Sequence, residues 1–189
     1  MILGITGGTG CGKTTLLGCI RERGGLVLDC DAIYHELLKM DGKLLAAIDA
    51  RFPGTVENGV LQRKRLGSIV FQDKNSLLDL NAITHKAVKT EVLRRLAAKP
   101  ALAAIDAIAL FEGGLAELCH VTVAVCAPVE DRVRRLMARD GISESYARSR
   151  IAAQHEDAWF REHCDYILNN DTTQEQFQGK CRELLEKIM

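Results

Sequence analysis

A glycine-rich segment near the start of the chain constrains the fold more than any other feature of the sequence. It reads GGTGCGKT over residues 7–14 and follows a short apolar stretch, MILGIT, at residues 1–6. A helical pattern of apolar residues begins at residue 13. Glycines in such a loop allow positive φ angles and keep Cβ atoms away, so that successive N–H groups can point inward. The order strand, glycine loop, helix therefore predicts an α/β domain with an anion-binding turn.

The loop matches the pattern G-x-x-x-x-G-K-[ST], with Gly7, Gly12, Lys13 and Thr14 at the defining positions. In this pattern the lysine reaches the β- and γ-phosphates of a nucleotide, and the hydroxyl after it binds Mg²⁺. A tight turn without a ligand is the alternative, but the strand before and the helix after the loop favour a phosphate-binding loop. We therefore predict that ATP or GTP binds here with Mg²⁺. The residues expected to contact the nucleotide are Gly8, Thr9, Gly10, Cys11, Gly12, Lys13, Thr14 and Thr15.

The rest of the chain alternates short apolar runs with longer amphipathic ones. The short runs predict four more strands, each buried on both faces, and the amphipathic runs predict the helices between them. The expected fold is α/β, with a five-stranded parallel sheet between two layers of helices, as in P-loop NTPases. The additional strands are expected at 26–30, 101–107, 121–126 and 165–170, and helices at 13–23, 74–98, 129–139, 143–154 and 173–188.

The segment 42–98 breaks this alternation. It is predicted to be helical throughout, with loops near residues 53–59. It is either a helical insertion that covers an acceptor substrate or simply more helical core. We expect one domain, with a nucleotide-binding core at 1–41 and 99–189, the insertion at 42–98 and a short lid at 134–156.

Composition narrows the class of protein. The chain of 189 residues has 25 basic and 25 acidic side chains, which argues against a nucleic-acid-coating or membrane-binding role. Its seven cysteines include no C-x-x-C pair, so a disulfide framework or a zinc site is not expected. No run of about 20 apolar residues is present. We expect a cytoplasmic protein, a monomer or weak homo-oligomer, in which Cys11 could be a reactive thiol because it lies near a helix N-terminus.

Two aspartates follow the second predicted strand, in the sequence LDCDAIYH at residues 28–35. If they belong to that strand, Asp29 and Asp31 project to the same side, at the edge where ligands bind in parallel sheets. Either could accept a proton from an attacking hydroxyl or hold Mg²⁺ through water. Either could instead cap the following helix. For Asp29 the chemical role and the capping role are equally compatible with the sequence. For Asp31 the chemical role is favoured.

Asp106 and a group of arginines are further candidates. Asp106 follows a run of small apolar residues, as a Walker B aspartate does, although a capping role is equally compatible with its position. Arg132, Arg135 and Arg139 share one face of a predicted helix, and a second helix with Ser143 as its N-cap follows. Such a helical hairpin could close over the γ-phosphate. Arg139, at the turn, is the functional candidate. The arginines assigned to a solvated face are Arg134, Arg135 and Arg148.

The chain resembles the dephospho-CoA kinase family along nearly its whole length. The motifs that carry the resemblance keep the family's order and spacing. They are TGGTGCGKT, DCDAIYH, GVLQRKRLGSIVF at 59–71, ITH at 83–85, DAIALFE, RLMARDGIS, RIAAQ and ILN.

The resemblance implies transfer of the ATP γ-phosphate to the 3′-hydroxyl of the ribose of dephospho-CoA. It implies that Asp31 is the general base and that Arg139 is the lid cation. It assigns the β- and γ-phosphates to residues within the loop from Gly10 to Thr15. It also places Arg63 and His85 near the acceptor, and we expect Asp106 to contact the substrates.

The chain departs from the family pattern mainly where that pattern has prolines. Lys86 and Ile108 stand at two of these positions, and His155 and Glu156 replace a Met-Pro pair; Cys30 replaces an alanine. We expect these departures to affect binding of the acceptor more than the chemistry at ATP. There are three alternative interpretations: a kinase of another small acceptor, a nucleotide-dependent switch, and an inactive relative. The DCD sequence with the 59–71 motif favours dephospho-CoA.

Overall fold

A computed structural model describes residues 1–40 and 42–189, and the expected domain boundary at residue 41 lies outside the described residues. By its internal contacts the chain forms two compact units. The first contains Met1–Leu28, Pro100–Leu110 and Leu115–Met189, and the second contains Asp29–Lys99 and Phe111–Gly114. The strands are β1 (Ile2–Thr6), β2 (Leu26–Asp29), β3 (Val56–Glu57), β4 (Val60–Leu61), β5 (Ala103–Asp106), β6 (Val121–Cys126) and β7 (Tyr166–Asn169). The helices are α1 (Lys13–Glu22), α2 (Cys30–Met40), α3 (Gly42–Arg51), α4 (Arg63–Val70), α5 (Lys74–Leu96), α6 (Val129–Asp140), α7 (Glu144–Ala152), α8 (Asp157–His163) and α9 (Gln174–Ile188), with a 3₁₀ turn at Ala116–Leu118.

The main sheet has the strand order β2-β5-β1-β6-β7. Strand β1 lies at its centre and pairs in parallel with β5 and β6, and β6 pairs in parallel with β7. Ile5 is opposite Asp106 in this register, and Thr6 is opposite Ala124. The predicted α/β fold with a five-stranded parallel sheet is confirmed.

Helices cover both faces of this sheet. Successive side chains of β6 point to opposite faces, and the apolar side chains on each face pack against helices. Val123 and Val125 pack in one core with Leu16 of α1 and Phe177 of α9. The intervening residues Ala124 and Cys126 pack against Phe160 of α8 on the opposite face. Every strand residue of β6 from Thr122 onward is buried, as expected of a strand between two helical layers.

The second unit has its own apolar core. Helices α2 and α3 contribute Leu38, Leu44 and Ile48, and α4 contributes Leu66 and Val70. The long helix α5 begins with Asp73 as its N-cap, whose side chain accepts hydrogen bonds from the backbone N–H groups of Asn75 and Ser76.

The prediction that 42–98 is helical throughout is wrong at one point. Strands β3 and β4 form an antiparallel hairpin within it. Asn58 and Gly59, between the strands, both have positive φ angles, of 51° and 74°. An Asn-Gly pair flanked by apolar residues is the strongest short-range hairpin signal, because both residues tolerate the left-handed conformation that a two-residue type I′ turn requires.

The prediction that Asp29 and Asp31 lie on one strand is also wrong. Strand β2 ends at Asp29, and α2 begins at Cys30, so that Asp31 is in the first turn of a helix. The Asp29 carboxylate accepts a hydrogen bond of 3.0 Å from the backbone N–H of Ala32. Asp29 therefore caps α2, which was one of the two roles left open for it. The short helix α8, between the lid segment and β7, had no counterpart in the sequence analysis.

Candidate active site

The glycine loop connects β1 to α1 in the first unit, as predicted. Gly7, Gly10 and Gly12 have φ angles of 128°, 78° and 93°, which disfavour any residue with a Cβ. A Cβ on Gly7 would lie 2.2 Å from the carbonyl oxygen of Val125, and one on Gly12 would lie 2.3 Å from Nδ2 of Asn170. These glycines are therefore required by both backbone conformation and close packing behind the loop.

The backbone of the loop leaves a group of N–H donors available for a ligand. Cys11 donates to the carbonyl of Gly8, and Thr15 to that of Gly12. The N–H groups of Gly10, Gly12 and Lys13 make no hydrogen bond with any described residue. Together with the N-terminus of α1 they form an arrangement suited to an anion.

Lys13 and Thr14 open α1 immediately after the loop. The Lys13 ammonium donates a hydrogen bond of 3.0 Å to the carbonyl oxygen of Gly7, so that it lies across the loop. Thr14 is exposed in the first turn of α1. A cation across the loop and a hydroxyl beside it are the groups that nucleotide phosphates and Mg²⁺ require.

Side chains from α6 and from the residue directly after β7 hold the backbone carbonyls of the loop. The Arg132 guanidinium donates to the carbonyl of Thr9 at 3.0 Å, and Arg135 donates to the carbonyl of Gly10 at 3.1 Å. The Nδ2 of Asn170 donates to the carbonyl of Cys11 at 2.8 Å. Three consecutive carbonyls thus have partners behind the loop, which leaves its other side open.

The prediction that Arg135 lies on a solvated face is wrong. It was assigned to a solvated face together with Arg134 and Arg148, but it is half-buried against the loop. The other two arginines are exposed and pair with acidic neighbours, Arg134 with Asp131 and Arg148 with Glu130. The spacing of Arg132 and Arg135 already placed them on one helix face, but it did not show that the loop would lie against it.

A cavity of about 270 Å³ adjoins the loop in the first unit. Phe177 provides an apolar wall, and polar side chains surround it. Its position beside Thr14 and its size suit the base of a nucleotide whose phosphates lie in the loop. Sequence reasoning missed this cavity because its walls come from three separate segments of the chain. It is lined by Gly12, Thr14, Thr15, Arg135, Asn170, Thr172, Gln174 and Phe177.

The predicted lid contains Arg139 in an ion-pair network. The Arg139 guanidinium donates to both carboxylate oxygens of Asp140, at 2.6 and 2.9 Å, and Arg150 donates to the same carboxylate at 2.7 Å. Hydrogen bonds from Arg139 and then Arg150 hold the pKa of Asp140 at about 2. Ser143 caps α7 as predicted, its hydroxyl accepting from the N–H of Tyr146.

Asp106 ends β5 beside the end of β1, and it is half-buried with Oδ1 shielded from solvent. The structure therefore brings Asp106 to the same edge of the sheet as the start of the glycine loop. Cys11 is 1% exposed. Burial raises the pKa of its thiol, although Arg132 and Lys13 oppose the shift. The structure thus argues against a reactive Cys11 thiolate.

Asp31, Arg63 and His85 belong to the second unit. Asp31 and Arg63 are exposed, in the first turns of α2 and α4, and His85 is half-buried in α5. Burial raises the pKa of the Tyr34 phenol, and the nearby Arg63 guanidinium opposes that shift. Tyr34 therefore lies close to a predicted acceptor residue, a relation that the sequence did not reveal.

Within residues 1–40 and 42–189, none of the helices combines the length and apolar character needed to span a bilayer. In the same described part of the chain, no group of three or more His, Cys, Asp or Glu side chains is arranged to hold a metal ion.

Comparison with known proteins gives matches over nearly the entire chain. A family model described as dephospho-CoA kinase (CoaE) matches residues 1–176. The dephospho-CoA kinase of Thermobifida fusca strain YX is 36% identical over 98% of this chain and 95% of its own length. The crystal structure of TT1252 from Thermus thermophilus is 32% identical and superposes with a TM-score of 0.83, over 100% of this chain and 98% of its own. A dephospho-CoA kinase structure from Campylobacter jejuni, 23% identical with a TM-score of 0.68 over 99% of this chain and 96% of its own, shares the fold.

Proposed function

The chain belongs to the dephospho-CoA kinase family, and we infer that it transfers the γ-phosphate of ATP to the 3′-hydroxyl of the ribose of dephospho-CoA. The products are CoA and ADP. As a member of this family it is a phosphate-transferring enzyme that uses ATP. The observation that carries the proposal is the glycine loop with Lys13 across it, in a chain that matches this family over almost its full length.

ATP binds with its phosphates in the loop and its base in the adjoining cavity. Support comes from the N–H groups of Gly10, Gly12 and Lys13, which have no protein partner within the described chain. The Lys13 ammonium exchanges the Gly7 carbonyl for the β- and γ-phosphates, and the Arg135 side chain borders both loop and cavity. The loop thus provides positioning and positive charge, the main contributions that enzymes make to phosphoryl transfer.

The donor set at the end of the loop fits Mg²⁺. This ion prefers oxygen ligands and usually keeps several waters, so it does not need a cage of protein side chains. The Thr14 hydroxyl would hold it, and the Asp106 carboxylate, at the same edge of the sheet as the start of the loop, could supply a further oxygen ligand. When bound, Mg²⁺ neutralises charge on the β- and γ-phosphates.

Asp31 is the proposed general base, and Arg139 the proposed lid cation. The Asp31 carboxylate is exposed in the first turn of α2, whereas Asp29 is engaged in capping that helix. Asp31 accepts the proton of the 3′-hydroxyl as that oxygen attacks the γ-phosphorus. Arg139 leaves Asp140 and stabilises charge on the transferring phosphoryl group. The network is suited to this exchange because Arg150 also pairs with Asp140 and keeps a cation there when Arg139 moves.

The second unit supplies the acceptor side. Arg63 offers an exposed guanidinium, and Tyr34 lies near it. Dephospho-CoA carries a diphosphate, which an exposed arginine can bind through two parallel hydrogen bonds. We assign Arg63 and His85 to acceptor binding and residues 42–98 to the acceptor-binding insertion. We place the enzyme in the cytoplasm as a monomer or weak homo-oligomer.

The test is an ADP-release assay with purified protein, Mg·ATP and separate acceptors: dephospho-CoA, adenosine, AMP, CMP and shikimate. Turnover with dephospho-CoA alone, with CoA identified by mass, is the expected result. Turnover with another acceptor would contradict the assignment of dephospho-CoA as the acceptor, but it would not contradict the assignment of the ATP site. Binding of ATP without turnover of any acceptor would contradict the kinase assignment itself.

A further inference from the structure

Thr9, in the middle of the glycine loop, has both polar groups of its backbone engaged by side chains. Its N–H donates a hydrogen bond of 2.8 Å to Oε1 of Gln154, and its carbonyl accepts one of 3.0 Å from Nε of Arg132. The Nη2 of Arg132 donates to the same Gln154 oxygen at 3.2 Å. Thr9, Arg132 and Gln154 therefore close a ring of three hydrogen bonds, which we call the Thr9 clamp.

The Thr9 clamp determines the shape of the loop on both sides of Thr9. A Cβ on Gly8 would lie 2.1 Å from Nη2 of Arg132, and one on Gly10 would lie 3.0 Å from the Arg132 carbonyl oxygen. The loop backbone thus lies directly against Arg132, which is only 4% exposed. Rotation of either peptide group that flanks Thr9 would break one of these hydrogen bonds and leave a buried polar group without its partner.

The clamp also gives the loop a fixed positive charge. Within the described chain the hydrogen-bond partners of the Arg132 guanidinium are the Thr9 carbonyl and the Gln154 amide, both uncharged. A buried cation whose hydrogen bonds go to neutral groups exerts a stronger field at short range than a solvated one. The N–H groups of Gly10 and Gly12, on either side of Cys11 in the same loop, make no hydrogen bond with any described residue.

We propose that Arg132 and Gln154 are positioning residues that hold the glycine loop in its phosphate-binding shape before ATP arrives. Neither residue touches the reacting atoms in this proposal. They lower the cost of binding because the loop does not have to be ordered by the nucleotide. The proposal deepens the proposed function and rests on ATP being the nucleotide, but it makes no use of the acceptor.

The direct test compares Gln154→Met with wild type and with Arg148→Met. Methionine has the length of glutamine but accepts no strong hydrogen bond, so the Thr9 N–H and Arg132 both lose a partner. Arg148 lies on α7, and Gln154 lies just after the end of that helix. Unlike Gln154, Arg148 is exposed and pairs with Glu130 and Glu144. Calorimetry should give a Kd for Mg·ATP about tenfold higher for Gln154→Met, the expected effect of one lost buried hydrogen bond. Arg148→Met should bind Mg·ATP as wild type does.

Steady-state kinetics separate positioning from a general structural defect. In Gln154→Met the KM for ATP should rise with the Kd, whereas kcat and the KM for dephospho-CoA should change by less than about twofold. A folded Gln154→Met protein that binds Mg·ATP as tightly as wild type would overturn the proposal. Because the Kd is measured without acceptor, this result is distinct from failure of the proposed kinase reaction.

A second measurement needs no variant and so does not depend on folding of one. In nucleotide-free wild-type protein, the Thr9 amide should exchange with solvent slowly, and the Gly10 and Gly12 amides quickly. NMR-detected hydrogen exchange resolves these positions individually. Rapid exchange at Thr9 in the absence of nucleotide would show that the clamp is not formed in advance and would refute the proposal.

Discussion

At the scale of single residues, two neighbouring aspartates differ in their hydrogen bonding. Asp29 and Asp31 are two positions apart and both are exposed, yet the Asp29 carboxylate caps α2 whereas Asp31 lies in the first turn of that helix. The N–H of Ala32 occupies Oδ1 of Asp29. No such hydrogen bond engages the Asp31 side chain within the described residues, so we expect Asp31 to be the carboxylate that takes a proton from a substrate.

This difference leads to a prediction about activity. Asp31→Asn should reduce kcat by about 10²- to 10⁴-fold through loss of the proposed general base. Lys13→Ala should reduce it by about 10²- to 10³-fold through loss of charge at the phosphates. Asp29→Asn should change kcat by no more than about twofold, since asparagine is an equally good N-cap. Steady-state kinetics at saturating ATP measure all three, and equal damage from both aspartate variants would contradict a single-base mechanism.

Glycines at different positions should respond differently to substitution by alanine. Gly7→Ala should destabilise the protein by at least about 2 kcal/mol, because Gly7 has a φ of 128° and its Cβ would lie 2.2 Å from a backbone oxygen of β6. Gly18→Ala is the matched control in α1, where no atom lies within 4 Å of the added Cβ. It should be neutral or stabilise the helix by about 0.5–1 kcal/mol. Denaturant unfolding gives both free energies, and a similar stability for the two variants would be incompatible with this account of the loop.

At the scale of elements, α5 runs without interruption through a position where the family pattern has a proline. The helix extends from Lys74 to Leu96 and includes Lys86, whose carbonyl accepts a hydrogen bond of 2.8 Å from the Thr90 hydroxyl. A proline at this interior position would remove one backbone hydrogen bond and clash with the preceding turn. The departure from the family pattern is therefore accommodated by a regular helix.

The corresponding prediction concerns the stability of that helix. Lys86→Pro should lower the free energy of unfolding by about 3 kcal/mol, whereas Lys86→Ala should leave it nearly unchanged because Lys86 is exposed. Thermal or denaturant unfolding followed by circular dichroism distinguishes the two variants. If the proline variant is as stable as the alanine variant, α5 tolerates a kink at this position and the departure has no structural consequence.

The whole molecule divides its candidate residues between two units that alternate along the chain. The glycine loop, the cavity beside Thr14, Asp106 and Arg139 belong to the first unit, and the proposed acceptor residues belong to the second. Two substrates of different chemistry should therefore protect different parts of the chain.

Hydrogen exchange by mass spectrometry tests this division. Mg·ATP should slow exchange in residues 7–15 and 170–177, which form the loop and border the cavity. Dephospho-CoA alone should slow exchange within residues 42–98, where the acceptor-binding insertion is proposed. Protection by dephospho-CoA confined to the first unit would contradict that assignment. Lys13→Ala serves as a control, because it should lose the protection by Mg·ATP and keep that by dephospho-CoA.

The sequence alone determined the features that depend on neighbouring residues. The phosphate loop, the five strands of the main sheet and the N-cap of α7 at Ser143 were predictable because each follows from spacing within a few residues. The Asn58-Gly59 hairpin was equally available from the sequence, since its signal is local, but it was interpreted as a loop. The boundary between β2 and α2 was misplaced because the alternation of Asp29, Cys30 and Asp31 was interpreted as part of a strand, whereas Asp29 caps the helix that begins at Cys30.

Only the tertiary structure decided which side chains hold the loop and what adjoins it. Arg132 and Thr9 are 123 residues apart, and Asn170 and Cys11 are 159 residues apart. No local pattern distinguishes Arg135, which lies against the loop, from Arg134, which lies in solvent. The physical reason is that a helix face has no fixed partner until the sheet brings α6 and the end of β7 beside β1. Sequence spacing therefore identified the phosphate-binding loop, and long-range packing determined how it is held.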